Sequence, residues 1–271
     1  MKLAVSNLAF SKELPFEKIV GELSRMGIAG IELAPTHLAE ELRLDIPSSI
    51  PLIRSVLNDN NMSFSGMQSL FFGHPELQLF DKQSWPSLFA HLNKMIILAE
   101  KLDIHTIVFG SPRNRVKGNL AEKAAADIAF EFFGSLIPSL AASNIVLTLE
   151  PNPSEYGADW LNTYADCVQL TKKINSFWID AQIDVGCMTL SNEDVLEAID
   201  NHTPRHVHFS VPGLGAIPGA INFRPIVDAL NELDYTGWVT LEMLNSKELT
   251  YEMVMQSIRE IVSIFDLGDV T

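Results

Sequence analysis

The sequence predicts an α/β protein folded as one closed parallel (β/α)8 barrel, the TIM-barrel architecture, and three observations carry that expectation. Short β-rich runs alternate with longer segments of helical period from one end to the other, the pattern of repeated βα units. Eight such units fit within the 271 residues, about the length at which a parallel barrel closes. No low-complexity linker interrupts the alternation, so a single domain over 1–271 is expected.

The first expected strand is Leu3–Ser6, followed by an amphipathic helix Phe16–Met26 that Pro15 opens and Gly27 closes. Gly30–Leu33 and helix Ile50–Asn60 form the second unit, Met62–Met67 and Leu88–Leu102 the third, Thr106–Phe109 and Leu120–Ala142 the fourth. The fifth unit pairs Ile145–Leu149 with Leu161–Ile174. The sixth pairs Trp178–Ile183 with Asn192–Ile199, a helix that Ser191 or Asn192 is placed to cap. His206–Phe209 with Phe223–Leu233, then Trp238–Glu242 with Tyr251–Phe265, complete the series. A doubly wound open sheet is the competing topology. It would normally carry a Gly-rich dinucleotide turn after its first strand, and Ser6-Asn-Leu-Ala-Phe is not one.

Composition narrows the partners. With 47% hydrophobic residues the chain can bury a full-sized core. A formal charge of −15 repels nucleic acid and anionic membrane, so an anionic substrate must meet a local positive site. Two cysteines, Cys167 and Cys187, are too few for a disulfide framework and suit a reducing cytoplasm. Strand-like sequence begins within two residues of Met1, without the basic and apolar stretches of an export signal. The apolar region from Phe130 to Leu149 is broken by Gly134, Ser135, Pro138, Ser139, Ser143 and Asn144, so no membrane span is expected there.

Barrel chemistry sits at the carboxyl ends of the strands, which directs attention to polar residues that end apolar runs. Four stand out: Glu150, Asp184, His208 and Glu242 end strands five to eight, which are consecutive neighbours. Strands lie about 4.8 Å apart, so side chains from four adjacent ends can converge. Three carboxylates left unpaired would repel, and one divalent cation allows them to stay charged together. An oxygen-rich set with one imidazole suits Mn2+ or Mg2+, with Zn2+, Co2+ or Fe2+ able to enter. Taken singly, an Asp or Glu at a strand end often only caps the following helix; the set of four points to a metal. His206 reads instead as a buried, hydrogen-bonded core residue.

The chain also resembles the xylose isomerase-like barrels, which include sugar-phosphate isomerases and epimerases and tagatose or psicose 3-epimerases. The resemblance is carried by Gly30-Ile-Glu-Leu-Ala-Pro, Gly66-Met-Gln-Ser-Leu-Phe-Phe-Gly, Val108-Phe-Gly-Ser-Pro-Arg-Asn-Arg, Leu149-Glu-Pro-Asn-Pro, Ile183-Asp-Val-Gly, His206-Val-His and Gly237-Trp-Val-Thr-Leu-Glu-Met. It spans nearly the whole chain and is specific for the superfamily but weak for the substrate. It implies the same four metal ligands, with Glu150 and Glu242 doubling as the acid and base that move a proton beside a carbonyl. Two carboxylates on opposite faces of a metal-stabilised ene-diolate can exchange a proton on general grounds.

Departures from that family bear on the substrate. Many members carry a His three residues beyond the strand-six Asp, where this chain has Cys187; a small buried residue is the favoured reading, since thiolates pair poorly with a hard site. Ser210, Val211 and Pro212 stand where the epimerases tend to place an acidic residue and an Arg. Residues expected to contact substrate are Glu32, Gln68, His74, Arg113, Arg115, Asn152 and Cys187, with Arg113 alternatively bridging Glu32 or Glu150 as an ion pair. His37 and His91 are expected at the surface, and Asp159 at the rim or starting a helix.

The functional expectation is a metal-dependent isomerase or epimerase of a small sugar, sugar phosphate or related polyol, cytoplasmic, and dimeric or tetrameric by resemblance. Dehydratase or lyase chemistry on a cyclic polyol would use the same metal and base. An apurinic endonuclease-like phosphodiesterase would need added His ligands where the strand ends read Gln68 and Gly110-Ser111. A metabolite-binding barrel without turnover is the reading from another class, suggested by Cys187.

Overall fold

The computed structural model describes residues 1–43 and 45–265. Leu44 and 266–271, part of the span expected to form one domain, lie outside the described residues. Among the described residues nine strands, all parallel, run in the order β6-β5-β4-β3-β2-β1-β9-β8-β7. They are β1 Lys2–Ser6, β2 Gly30–Leu33, β3 Ser63–Met67, β4 Thr106–Phe109, β5 Val146–Leu149, β6 Ile179–Ala181, β7 Ile183–Asp184, β8 Val207–Phe209 and β9 Trp238–Leu241. Return helices are α1 Phe16–Arg25, α3 Ile46–Asp59, α4 Trp85–Lys101, α5 Glu122–Ala142, α6 Tyr164–Ile174, α8 Val195–Asn201, α9 Arg224–Glu232 and α10 Tyr251–Ile264.

The nine strands make an eight-stranded (β/α)8 barrel because the sixth is divided. Its first half, β6, pairs with β5 and its second half, β7, with β8. The break is at Gln182, whose N–H donates to Leu149 O at 3.0 Å while Ile183 N–H crosses to His206 O at 3.1 Å. One uninterrupted segment therefore seams the two sides, and the expectation of a single strand over Trp178–Ile183 is corrected to two short ones. A run of local hydrophobicity cannot register where a strand changes partners.

Two short helices escaped the sequence pattern, α2 Glu40–Arg43 and α7 Val185–Leu190. Helix α3 begins before Ile50 because Asp45 caps it, accepting from Ser48 N. The cap of α8 is Asp194, bonding Leu196 N and Glu197 N, and not Ser191 or Asn192. Helix α6 starts with a Thr163–Asp166 capping box. Asp159 begins no helix; its carboxylate accepts from Lys117 N at 2.6 Å and Gly118 N at 2.8 Å, tying the loop after β4 to the loop after β5.

Packing follows the amphipathic stripes. Helix α5 is long and apolar enough to cross a membrane, yet Ala125, Ala129, Phe132, Phe133, Leu136 and Leu140 are buried against the barrel. Phe133 meets Phe109 of β4 edge-on at 5.1 Å, and Phe109 meets Phe71 at 5.3 Å. Both cysteines are free and buried. This outer shell holds the strand ends in place around the barrel mouth.

Candidate metal centre

Four strand ends converge on one nitrogen atom. Glu150 follows β5, Asp184 ends β7, His208 is the middle residue of β8 and Glu242 follows β9. His208 Nδ1 lies 3.0 Å from Glu150 Oε1, 3.2 Å from Glu242 Oε2 and 3.7 Å from Asp184 Oδ2. One potential ligand atom from each residue lies within 4.8 Å of all the others. Octahedral bonds of about 2.1 Å would set neighbouring donors about 3.0 Å and opposite donors about 4.2 Å apart, so this donor set fits a single divalent ion. His208, Asp184 and Glu242 are buried, and Glu150 is the most exposed at 13%.

The electrostatics say the same. Burial pushes the Glu242 carboxyl up to about 7, with Glu150 and Asp184 adding repulsion against the attraction of His208. Burial also works against ionised Asp184, but His208 and the donors Cys187 N and Ser210 Oγ, each at 2.7 Å, outweigh it and hold the carboxyl below its usual range. For His208 burial disfavours the cation, yet Glu32, Glu242, Asp184 and Glu150 raise it well above the ordinary imidazole value. The Nδ1 edge of this buried imidazole meets three carboxylates, a setting in which a divalent ion would balance their charge.

A second polar layer lies two residues earlier on each of these strands, on the same inward face: Thr148, Gln182, His206 and Thr240, all buried. Gln182 Nε2 donates to Glu150 Oε1 at 2.8 Å, its orientation set by Thr148 Oγ1, which donates to Gln182 Oε1 at 2.6 Å. Thr240 Oγ1 lies 3.4 Å from His206 Nε2 and 3.1 Å from Ser65 Oγ. Sequence reasoning singled out only His206 of these four. The signal was present as polar residues at i−2 from each strand end, with period two.

The expected substrate contacts divide into two groups. Glu32 and Asn152 join the cluster: Glu32 lies behind His208, and Asn152 Nδ2 donates to Glu150 Oε2 at 3.2 Å. Cys187 is buried beside Asp184, which also caps α7 through Cys187 N, so the capping reading of that carboxylate holds together with the cluster. Burial, then the charges of Asp184 and Glu150, push the Cys187 thiol well up. Arg115 is completely buried, with Nη2 3.4 Å from Leu161 O and no hydrogen-bond partner at Nε or Nη1. Leu161, at φ +53°, turns that same carbonyl to accept from Asn152 N.

Gln68, Arg113 and His74 are placed otherwise. Gln68 Nε2 donates to Ser6 Oγ at 2.7 Å. Arg113 is exposed, its carbonyl taken by Gln78, and the bridge to Glu32 or Glu150 is not formed: Glu32 is engaged by two histidines. His74 pairs with Glu76 at 3.1 Å, and its ring lies 4.5 Å from that of His91, tilted by 55°. His91 and His37 are half-buried, not surface residues, each ring meeting a loop carbonyl, Leu70 O and Phe10 O. The Tyr156 hydroxyl accepts from Gly213 N at 2.9 Å, joining the loops that follow β5 and β8.

A parallel βα barrel with a buried carboxylate–imidazole cluster at the carboxyl ends of strands five to eight falls in the class of barrel proteins whose strand ends could hold a divalent ion. Within that class, the family model of the xylose isomerase-like TIM barrel matches residues 20–261, and the chain belongs to that family. A probable ketose 3-epimerase from Synechocystis sp. is 24% identical over 258 residues, covering 92% of this chain and 86% of that protein. The fold is similar to a D-psicose 3-epimerase crystallised in the presence of D-fructose, with a TM-score of 0.80, 17% identity and coverage of 99% and 100% of the two chains. It is also similar to the IolI protein with a bound zinc atom, with a TM-score of 0.78, 13% identity and coverage of 97% and 98%.

Proposed function

We propose that this chain is a divalent-metal-dependent epimerase or isomerase of a small sugar, sugar phosphate or related polyol, acting by proton transfer beside a carbonyl. The observation that carries the reading is the convergence of Glu150, Asp184 and Glu242 on His208 Nδ1 at 3.0–3.7 Å. Membership of the family and likeness to a probable ketose 3-epimerase support it. Glu150, Asp184, His208 and Glu242 would hold the metal, with Mn2+ or Mg2+ favoured by the three carboxylates. When bound, the ion supplies Lewis-acid stabilisation of negative charge on the substrate's carbonyl oxygen.

The protein's own groups do the rest. Gln182 and Asn152 each donate an amide N–H to Glu150 and fix the orientation of its carboxylate, which places it to accept the proton from the carbon next to the carbonyl. Glu242, brought to the same cluster by the end of β9 with Oε2 3.2 Å from His208 Nδ1, is placed to return a proton. Return to the opposite face of the same carbon epimerises it; return to the former carbonyl carbon isomerises the sugar.

The phosphodiesterase alternative is disfavoured, because Gln68 at the end of the third strand is no metal ligand and is bonded to Ser6. We further propose a single catalytic domain, a cytoplasmic location and a homo-oligomer, the last to be read by sedimentation. The deciding experiment incubates the metal-loaded chain with ketoses and their phosphates in D2O. Deuterium entering the carbon beside the carbonyl, and lost in Glu150→Gln with the fold retained, supports the reading; a Glu150→Gln variant with full exchange activity removes the acid/base assignment.

A further inference from the structure

Glu32 stands at the third position of β2 and is wholly buried. Its Oε1 accepts from His206 Nε2 at 3.0 Å, and its Oε2 lies 2.9 Å from His208 Nε2, close but out of hydrogen-bond alignment. The two imidazoles meet edge-on, with centroids 5.2 Å apart. Room for this carboxylate is reserved by Gly66, where a Cβ would come within 2.8 Å of Glu32 Oε1. The opposite nitrogen of His208, Nδ1, is the one that faces Glu150, Glu242 and Asp184.

A neutral imidazole has one N–H and one lone pair. A carboxylate beside Nε2 demands the proton there and leaves the lone pair on Nδ1, where the three carboxylates converge. A proton on Nδ1 instead would direct an N–H at any ion in the site. We propose that Glu32 is a positioning residue of the metal centre, fixing the tautomer and ring orientation of His208 so that Nδ1 serves as ligand. The inference rests on the metal-centre reading above and adds to it the determinant of the imidazole's state.

Glu32, His206 and His208 also lie close enough together to be considered as ligands of an ion of their own. The hydrogen bond between Glu32 Oε1 and His206 Nε2 already occupies two of those atoms, and a second ion would strip His208 of its Nε2 proton and make it a bridge between two cations. One ion with Glu32 behind it needs neither change.

The test uses the metal-depleted native chain and Glu32→Gln, each titrated with Zn2+ against a chelator, together with long-range 1H–15N spectra of the zinc-loaded native chain. Expected are one equivalent of zinc, a His208 signal protonated at Nε2 and bare at Nδ1, and an affinity about 10–100-fold weaker in Glu32→Gln. The proposal is overturned by two equivalents in the native chain, by a His208 protonated at Nδ1, or by a folded Glu32→Gln that binds within twofold of native. Should Glu32→Gln fail to fold, the tautomer read on the native chain still decides. Absence of zinc binding in the native chain removes the metal-centre reading itself, whereas native binding with an unaffected variant removes only this inference.

Discussion

Gln182 Nε2 donates to Glu150 Oε1 at 2.8 Å from the one residue that separates β6 from β7. The break in the sixth strand and the orientation of the candidate base are thus one feature. Where the strand changes partners, a side chain with an amide faces inward, and Thr148 holds its oxygen so that the nitrogen meets the carboxylate.

Replacing Gln182 by Leu removes the donor to Glu150 and leaves Thr148 Oγ1 with only the longer contact to Ile107 O at 3.4 Å. A buried polar group left unpaired costs about 1–3 kcal/mol, so turnover should fall about 10–100-fold with a modest loss of thermal midpoint. Steady-state kinetics separate the effects: the change is expected in kcat, and a variant altered only in KM would contradict the role.

Gly110 follows β4 and faces the Glu150 carboxylate, and a Cβ there would overlap Oε2 and approach Asn152 Nδ2 at 3.8 Å. Gly110→Ala should therefore displace Glu150 and lower metal occupancy while far-UV circular dichroism stays native. Elemental analysis after dialysis against Mn2+ checks this; full occupancy in the variant would show that the loop gives way instead.

Protonation should govern the stability of the metal-free chain. Glu242 is raised from 4.5 to about 7, so its contribution is complete below the lower value and is lost as pH climbs through the upper one. His208, raised above 6.5, acts in the same direction at higher pH. Asp184 and Glu32 are lowered and act oppositely, losing their contribution as the solution is acidified. The metal-free thermal midpoint should accordingly be highest near about pH 5 and fall toward about pH 8. Added Mn2+ should raise it more at the higher pH, because the ion competes with protons for the same atoms. A midpoint that does not change across this range would falsify the assignment of these groups.

Arg115 is buried with two of its three guanidinium nitrogens unpartnered, and burial pulls its ionisation below the usual arginine value. Exchanging a poorly satisfied buried charge for an apolar chain of similar volume is commonly neutral or stabilising by about 1–4 kcal/mol. Arg115→Met should hold or raise the midpoint in chemical denaturation. A marked drop would show that ordered water or the nearby Glu150 carboxylate already satisfies the guanidinium.

Much of the fold was legible because its determinants are local. Thr106–Phe109 and Gly30–Leu33 are strands over the same residues that their apolar runs predicted, and α1 begins at Phe16 after Pro15 as its punctuation implied. Short α7 was missed since Val185–Leu190 owes its start to a cap from Asp184, a residue first read for its strand end. The four convergent residues were legible because a barrel brings successive strand ends together whatever its detailed register.

Sequence by itself thus determined the alternation of elements, the face each presents to the core, and which carboxylates and imidazole end adjacent strands, since these depend on neighbours a few positions away. Tertiary structure alone decided that Glu32 meets His206 across 174 residues and lies 2.9 Å from His208, that Gln182 both divides a strand and holds Glu150, and that Arg115 lies buried while Arg113 is exposed. Those pairings depend on the stagger of strands around a closed barrel, which selects the inward side chains that meet at one level, and no local pattern encodes that stagger.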